Sequence, residues 1–290
     1  MSRLELIEVS PRDGLQNEPR VLATADKIEL VRRIVDAGAA RIEVASFVHP
    51  AKVPQMADAE AVVAGLPRGG ARYIGLVLNK RGALRALATA VDEVGIVCTA
   101  SDDFGKRNQG LDIEQSLEMT CDVLRLCRER QRPAQATIAV AFGCPFEGAV
   151  DPGRVVDMAR RIAAAGPIEV AIADTIGIAR PAEVERLAAA VAAAIAPLPL
   201  RVHFHDTRGM GVANVLAAVR AGAVRIDAAI GGTGGCPFAP GAAGNVAERI
   251  GDALDVDIDK LVETAGWLNA RLGRERSSAV ARAFAASASL

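Results

Sequence analysis

The sequence predicts a closed (β/α)8 TIM barrel with an additional C-terminal helix, on three observations. Short β-branched runs alternate along the chain with longer Ala/Leu/Arg stretches of helical spacing. Eight such pairs within about 250 residues is the stoichiometry of that barrel. The turn after the first strand reads Ser10-Pro11-Arg12-Asp13-Gly14, with a single Gly. An open doubly wound sheet, the competing architecture, usually carries G-x-G-x-x-G there.

The first strand is expected over Leu4–Val9. The helix after it, Thr24–Ala37, opens on Thr24 as a cap and stops at Gly38. Strand Arg41–Ala45 leads to helix Met56–Leu66, strand Arg72–Val77 to helix Lys80–Ala90, and strand Glu93–Thr99 to helix Asp112–Arg130. Strand Gln135–Ala141 precedes helix Pro152–Ala165, which has Asp151 as cap, Pro152 in its first position and Gly166 at its end. Strand Ile168–Ala173 is followed by helix Pro181–Ala196. Strand Leu200–Phe204 is followed by helix Met210–Ala221, stopped by Gly222. Strand Arg225–Ile230 and helix Asn245–Leu254 complete the set, and Ile258–Leu272 is the extra helix. The phrase Ala-Gly, short gap, strand recurs at Gly38, Gly166 and Gly222, as a repeated βα unit requires. No linker or low-complexity tract divides the chain, so residues 1–290 are expected to form a single barrel catalytic domain.

Composition excludes several classes. Apolar residues make up 51% and charged residues 24%, which is globular rather than disordered. The net charge of −1, with Lys and Arg scattered, gives no footprint for nucleic acid. The longest purely apolar stretch, Leu187 to Pro199, falls short of the roughly 20 residues of a membrane span. Glu5 and Glu8 interrupt the N-terminal apolar run, so it does not read as a signal peptide. The five cysteines (Cys98, Cys121, Cys127, Cys144 and Cys236) form no C-x-x-C pair, which argues against a disulfide scaffold or zinc ribbon. A reducing, cytoplasmic enzyme is the expectation.

Catalytic residues of such a barrel lie at the C-terminal ends of its strands. Those positions hold Arg12 and Asp13, Glu43, Asn79, Asp174, His203 and His205, and a Gly-rich loop from Gly231 to Gly244 followed by Asn245. His203 and His205 are spaced i, i+2, which turns both imidazoles to one side of a strand. Two imidazoles near a carboxylate suggest a divalent metal. With Asp13 and Asn245 the set is two nitrogens and two oxygens without thiolate, suited to Mg²⁺ or Mn²⁺, with Zn²⁺ as the other option. Arg12 reads either as a salt-bridged turn residue or as a guanidinium that stabilises an oxyanion. Glu43 reads as an ion-pair partner that holds Arg12 or a histidine. Asp174 reads equally as a site residue or a helix cap. Cys236 lies in the Gly-rich loop rather than in a strand or helix, which makes it a candidate proton donor under a lid. Cys144 opens the loop after the fifth strand and is a weaker candidate.

These residues resemble one family. Ser10-Pro-Arg-Asp-Gly-Leu-Gln-Asn-Glu18, Ile42-Glu-Val-Ala-Ser-Phe47 with Val53-Pro-Gln-Met56, and Gly143-Cys-Pro-Phe-Glu-Gly148 are similar to motifs of 3-hydroxy-3-methylglutaryl-CoA lyases. So, in the same order, are Asp174-Thr-Ile-Gly177, His203-Phe-His-Asp-Thr207 and Gly234-Gly-Cys-Pro-Phe-Ala-Pro-Gly-Ala-Ala-Gly-Asn245. The resemblance spans Glu8 to about Ser278. The cysteine loop and the Arg-Asp-Gly segment are specific to the family, whereas His-x-His is shared with a wider group of metal-dependent barrels.

The resemblance implies a metal-dependent lyase that cleaves a 3-hydroxyacyl-CoA to acetyl-CoA and a keto acid, acetoacetate for the usual substrate. It implies Asp13, His203, His205 and Asn245 as metal ligands, Arg12 as the stabiliser of the enolate, and Cys236 as the proton-transfer group. Glu43 and Asp174 match supporting active-site positions. It also implies a homodimer and a place in leucine degradation. A related lyase or Claisen-type synthase on another acyl-CoA is the alternative, and the cysteine loop favours cleavage. A non-catalytic barrel would show a decayed polar rim, which this sequence does not. The chain departs from the pattern at Arg208-Gly-Met210, where an aromatic, Gly and Gln are usual, and at Glu248-Arg249 after Asn245-Val-Ala247. Both flank ligand positions and leave the acyl group open. Arg208 is therefore a candidate contact for a substrate carboxylate or a CoA phosphate.

Overall fold

Eight parallel strands pair in sequence order, and the eighth closes on the first. They are β1 (Glu5–Glu8), β2 (Arg41–Ser46), β3 (Arg72–Val77), β4 (Glu93–Thr99), β5 (Ala134–Ala139), β6 (Val170–Asp174), β7 (Leu200–Phe204) and β8 (Ala223–Ala228). The structure is a computed structural model. It describes residues 4–235 and 256–274. The expected (β/α)8 barrel is thus observed. Its helices are α1 (Thr24–Asp36), α2 (Ala59–Gly65), α3 (Lys80–Leu87), α4 (Asp102–Asn108), α5 (Ile113–Glu129), α6 (Pro152–Ala164), α7 (Pro181–Ile195) and α8 (Gly211–Arg220). The additional C-terminal helix is α9 (Ile258–Leu272). The expected helix 245–254 lies outside the described residues.

The strands are buried on both faces because helices cover the outside. Ile42, Val44 and Ile172 join Leu30, Ile34, Leu124 and Val184 in one apolar core. Asp151 caps α6 by accepting from the Gly153 N–H at 3.0 Å, behind Pro152 in the first helical position. Gly38, Gly166 and Gly222 take φ of 93°, 82° and 103° just past their helices, a left-handed region that disfavours side chains.

Three local expectations are corrected. Thr24 is the first residue of α1 rather than its cap, and its hydroxyl donates to Asp58 at 2.7 Å. The helix expected from Met56 is split, because Pro54–Met56 forms its own tight turn and α2 starts at Ala59. Helix α4 was not expected, since its seven residues include a Gly and show no apolar period. It forms because Ser101 caps it through the Phe104 N–H at 3.2 Å while Phe104 is buried.

The inside of the barrel mixes branched apolar side chains, Ile7 and Ile74 among them, with a network of paired charges. Arg41, fully buried, meets Glu169 through two contacts of 3.0 Å and Glu93 at 2.5 Å. Arg201 meets Asp227 through Nε at 2.5 Å and Nη2 at 2.9 Å, and reaches Glu169 at 3.4 Å. Buried charges survive only when paired and hydrogen-bonded. Glu8 has no such cation among the described residues, and burial pushes its carboxyl up to about 7. Its Oε1 accepts the Ser10 N–H at 2.8 Å, which ties the end of β1 to the turn that carries Arg12 and Asp13.

Candidate active site

The turn Ser10–Gly14 is wound unusually wide. The carbonyl of Val9 accepts N–H groups of Arg12 at 3.1 Å, Asp13 at 2.7 Å and Gly14 at 3.2 Å. A Cβ on Gly14 would run into the Thr233 hydroxyl, so only Gly lets this turn press against the chain leaving β8. The turn thereby sets Arg12 and Asp13 side by side at the C-terminal mouth. Arg12 Nη1 donates to Asp13 Oδ1 at 2.6 Å, and its Nε and Nη2 both engage Glu43 Oε1 at the inner wall. The guanidinium is fixed by two carboxylates, and their charge raises its pKa although burial opposes it.

At the mouth, the end of β7 and the residue just past it bring His203 and His205 together. Their Nε2 atoms lie 3.2 Å apart, and His203 Nε2 is 3.9 Å from Asp13 Oδ2. One atom each from Asp13, His203 and His205 fall within 4.8 Å of one another. His203 Nδ1 is 2.9 Å from Asp227 Oδ2. Burial disfavours the Asp227 anion, but Arg201 and His203 hold its pKa below the usual value. An ionised Asp227 accepts, so Nδ1 carries the proton and the Nε2 lone pair faces the cluster. Acceptors this close repel unless a cation or proton sits among them. The donor set therefore fits a divalent metal. Burial also opposes a charged His203 ring, yet the hydrogen bond to Asp227 and the charge of Asp13 raise its pKa.

A cavity of about 510 Å³ opens over this cluster. Arg12, Asp13, Glu43, His203, His205 and Asp227 all border it, with an apolar wall from Leu76, Leu78, Val97 and Phe104. The other sequence candidates fall differently. Asp174 is buried at the end of β6 but does not line the cavity. Its carboxylate accepts the Ile178 N–H at 3.1 Å and the Ala179 N–H at 2.8 Å, so it organises the loop before α7. Burial raises its pKa against those hydrogen bonds. Asn79 caps α3 by accepting from Gly82 at 2.9 Å. Arg208 is exposed on the turn after β7, away from the cavity wall. Cys144 is buried outside the cavity, where Ser101 Oγ donates to its sulfur at 2.9 Å. Cys236 and Asn245 lie outside the described residues. Burial pushes the thiols of Cys98 to about 12 and Cys127 to about 11, as befits core cysteines.

Arg201 and Asp227 border the cavity and were not foreseen, because they lie within strands rather than at strand ends. The period-two spacing Arg201, His203, His205 carried the signal for the first: all three share one strand face. No short-range pattern marks Asp227.

Fold and site together define a class: barrel enzymes with a carboxylate–imidazole cluster beside a clamped guanidinium at the C-terminal mouth. Within that class the chain belongs to the HMGL-like family, whose model matches residues 3–260. It is 40% identical to the 3-hydroxy-3-isohexenylglutaryl-CoA/hydroxy-methylglutaryl-CoA lyase of Pseudomonas aeruginosa, over 99% of this chain and 98% of that protein. It is 36% identical to the human cytoplasmic 3-hydroxy-3-methylglutaryl-CoA lyase, over 97% of this chain and 78% of that one. Among solved structures, an HMG-CoA lyase of Acinetobacter baumannii in complex with coenzyme A and 3-methylmalate superposes with a TM-score of 0.92. That pair is 39% identical, covering 97% of this chain and 95% of the other.

Proposed function

We infer that the chain is a carbon–carbon lyase that converts 3-hydroxy-3-methylglutaryl-CoA to acetyl-CoA and acetoacetate. The observation that carries this reading is the Asp13–His203–His205 cluster facing the clamped Arg12 across one cavity. The reaction removes the proton of the 3-hydroxyl and forms the ketone. The C2–C3 bond breaks, and the thioester enolate takes a proton at C2. A divalent cation, Mg²⁺ or Mn²⁺, held by Asp13, His203, His205 and Asn245, would supply Lewis acidity toward the 3-oxygen.

The chain's own residues do the rest. Arg12, held by Glu43 and Asp13, is positioned to stabilise charge on the thioester oxygen as the enolate develops. Asp227 fixes the His203 ring, and Arg201 fixes Asp227. Cys236 donates the proton that turns the enolate into acetyl-CoA. Asp174 supports the site by holding the loop before α7. For Arg208, which does not line the cavity, the proposed role is a contact from outside its wall to the acyl carboxylate or a CoA phosphate of bound substrate.

A second reading, a lyase for a 3-hydroxyacyl-CoA with a longer branch at C3, is favoured by the apolar cavity wall of Leu76, Leu78, Val97 and Phe104. Metal-dependent release of acetyl-CoA from a panel of 3-hydroxyacyl-CoA thioesters ranks the two. Chelation abolishes turnover and Mg²⁺ or Mn²⁺ restores it on this account. No acetyl-CoA from any member, or full turnover in excess chelator, overturns it.

The family likeness supports three broader parts of the proposal: one catalytic domain over 1–290, a homodimer, and a cytoplasmic role in leucine degradation. No helix among the described residues is long and apolar enough to cross a membrane. The chain's relatives include the human cytoplasmic lyase and the mitochondrial hydroxymethylglutaryl-CoA lyase of Gallus gallus.

A further inference from the structure

The catalytic cavity has two unlike halves. Its charged and imidazole groups, among them Arg12, Asp13, Glu43, His203 and Asp227, come from the side of β1, β2, β7 and β8. The strands opposite, β4 to β6, give it Val97, Thr137, Ala139 and Ala173, none of them charged. Ala173 stands beside His203 in register, and its small methyl leaves open the space between that histidine and β5.

Val97 and Thr137 are register partners on β4 and β5. Each is the one residue of its strand that is not buried. A mid-strand side chain of a closed barrel is normally packed on every side. Exposure at these two positions therefore means unfilled space in front of them, and both border the cavity. Leu76 and Phe104, which are buried, add apolar surface to the same wall.

We propose that the space in front of Val97 and Thr137 is the subsite for the alkyl branch at C3 of the substrate, and that these two side chains set the branch length accepted. The proposal rests on the acyl-CoA lyase reading of the cavity and says which residues decide between its two substrate classes. With the 3-hydroxyl at the histidine cluster and the thioester oxygen at Arg12, C3 has two arms left, a carboxymethyl group and the branch. A carboxylate turned toward β4 and β5 would lose its water and meet no cation from those strands. An alkyl group there gains by leaving water. The chain thus acts on 3-hydroxy-3-alkylglutaryl thioesters whose branch has several carbons, as well as on the methyl compound.

The test measures kcat/KM for the CoA thioesters of 3-hydroxy-3-methylglutarate and 3-hydroxy-3-butylglutarate. Wild type is compared with Val97→Phe, Thr137→Leu and Thr137→Val. Each buried methylene is worth about fourfold, so the butyl-to-methyl ratio of the wild type should exceed one and reach as high as about 60. Val97→Phe and Thr137→Leu fill the space and should lower that ratio by on the order of 10²-fold. Thr137→Val keeps the size of the side chain and should keep the ratio. Urea midpoints identify the variants that fold. A wild-type ratio below one overturns the proposal. So does an unchanged ratio in the folded bulky variants, or a drop in Thr137→Val as large as in Thr137→Leu. Calorimetry on wild type with the CoA thioesters of 3-methylglutarate and 3-butylglutarate, which lack the hydroxyl needed for cleavage, reads the subsite without turnover. Tighter binding of the butyl compound is expected, and equal or weaker binding overturns the proposal. If the wild type cleaves neither hydroxy thioester, the lyase reading falls, and this binding comparison still decides the subsite.

Discussion

Replacing Asp227 by Asn tests how the histidine cluster is held. The carboxylate lies 2.9 Å from His203 Nδ1, and Arg201 grips it through Nε at 2.5 Å and Nη2 at 2.9 Å. Asparagine keeps the shape but loses the charge, and its amide can donate to the ring instead of accepting from it. The His203 proton then has no reason to stay on Nδ1, and Nε2 no longer presents its lone pair reliably. Outer partners of this kind are worth about 10–100-fold in metal affinity. Stability suffers as well. Arg201 is 2% exposed, and removing one partner of a buried pair costs about 3–5 kcal/mol. Here Arg201 keeps Glu169 at 3.4 Å and Glu43 at 3.9 Å, so the lower end, about 3 kcal/mol, is expected. Calorimetric titration of the metal-free protein with Mn²⁺ reads the first quantity, and urea unfolding reads the second. A folded Asp227→Asn variant with wild-type Mn²⁺ affinity would refute the idea that Asp227 sets the ring.

Arg12→Lys keeps the charge but not the planar fork that spans Glu43 and Asp13, so kcat should fall on the order of 10²-fold. A change of less than a few-fold, measured by acetyl-CoA release, would make Arg12 a structural ion-pair residue only. Cys236→Ser should lower kcat by roughly 10²–10⁴-fold with KM little altered, and wild-type turnover in that variant would reassign the proton donor. Burial lifts Glu8 to about 7 from 4.5, so the folded chain holds a proton that the unfolded chain releases. Its contribution to stability is complete below the unfolded value and is lost as pH rises through 7. Glu8→Gln should therefore gain stability relative to wild type at pH 8 but not at pH 4, as read by urea midpoints. Equal differences at both pH values would show that Glu8 does not titrate in this range.

Much of this was legible before the structure, and the reasons differ by element. Strands β3, β4 and β7 fall where β-branched runs and flanking turn residues put them, residue for residue. A parallel barrel strand is buried on both faces, so its run of apolar residues stands out against the helices around it. The paired histidines were legible because a strand repeats every two residues. Helix α4 was not, since capping by Ser101 and burial of Phe104 depend on neighbours distant in sequence. Arg201 and Asp227 were invisible for a related reason. A charge in the middle of a strand looks misplaced until its partner, 26 residues away, arrives on the neighbouring strand.

That partner explains why the barrel tolerates charges where branched apolar side chains would pack more cheaply. Arg201 stands at a junction. One side fixes Asp227 and through it His203, and the other lies 3.9 Å from Glu43, which clamps Arg12. The group that would stabilise an enolate and the group that would hold the metal are thus referenced to one guanidinium. Arg201 in turn reaches Glu169, which Arg41 and Arg225 grip at the other end of the strands. Rotating any one of these side chains would leave a buried charge without its partner, at several kcal/mol. The network therefore allows few arrangements, and the two halves of the site cannot drift independently. Electrostatic catalysis depends on that kind of fixed placement, because dipoles already in position need no reorganisation as charge develops.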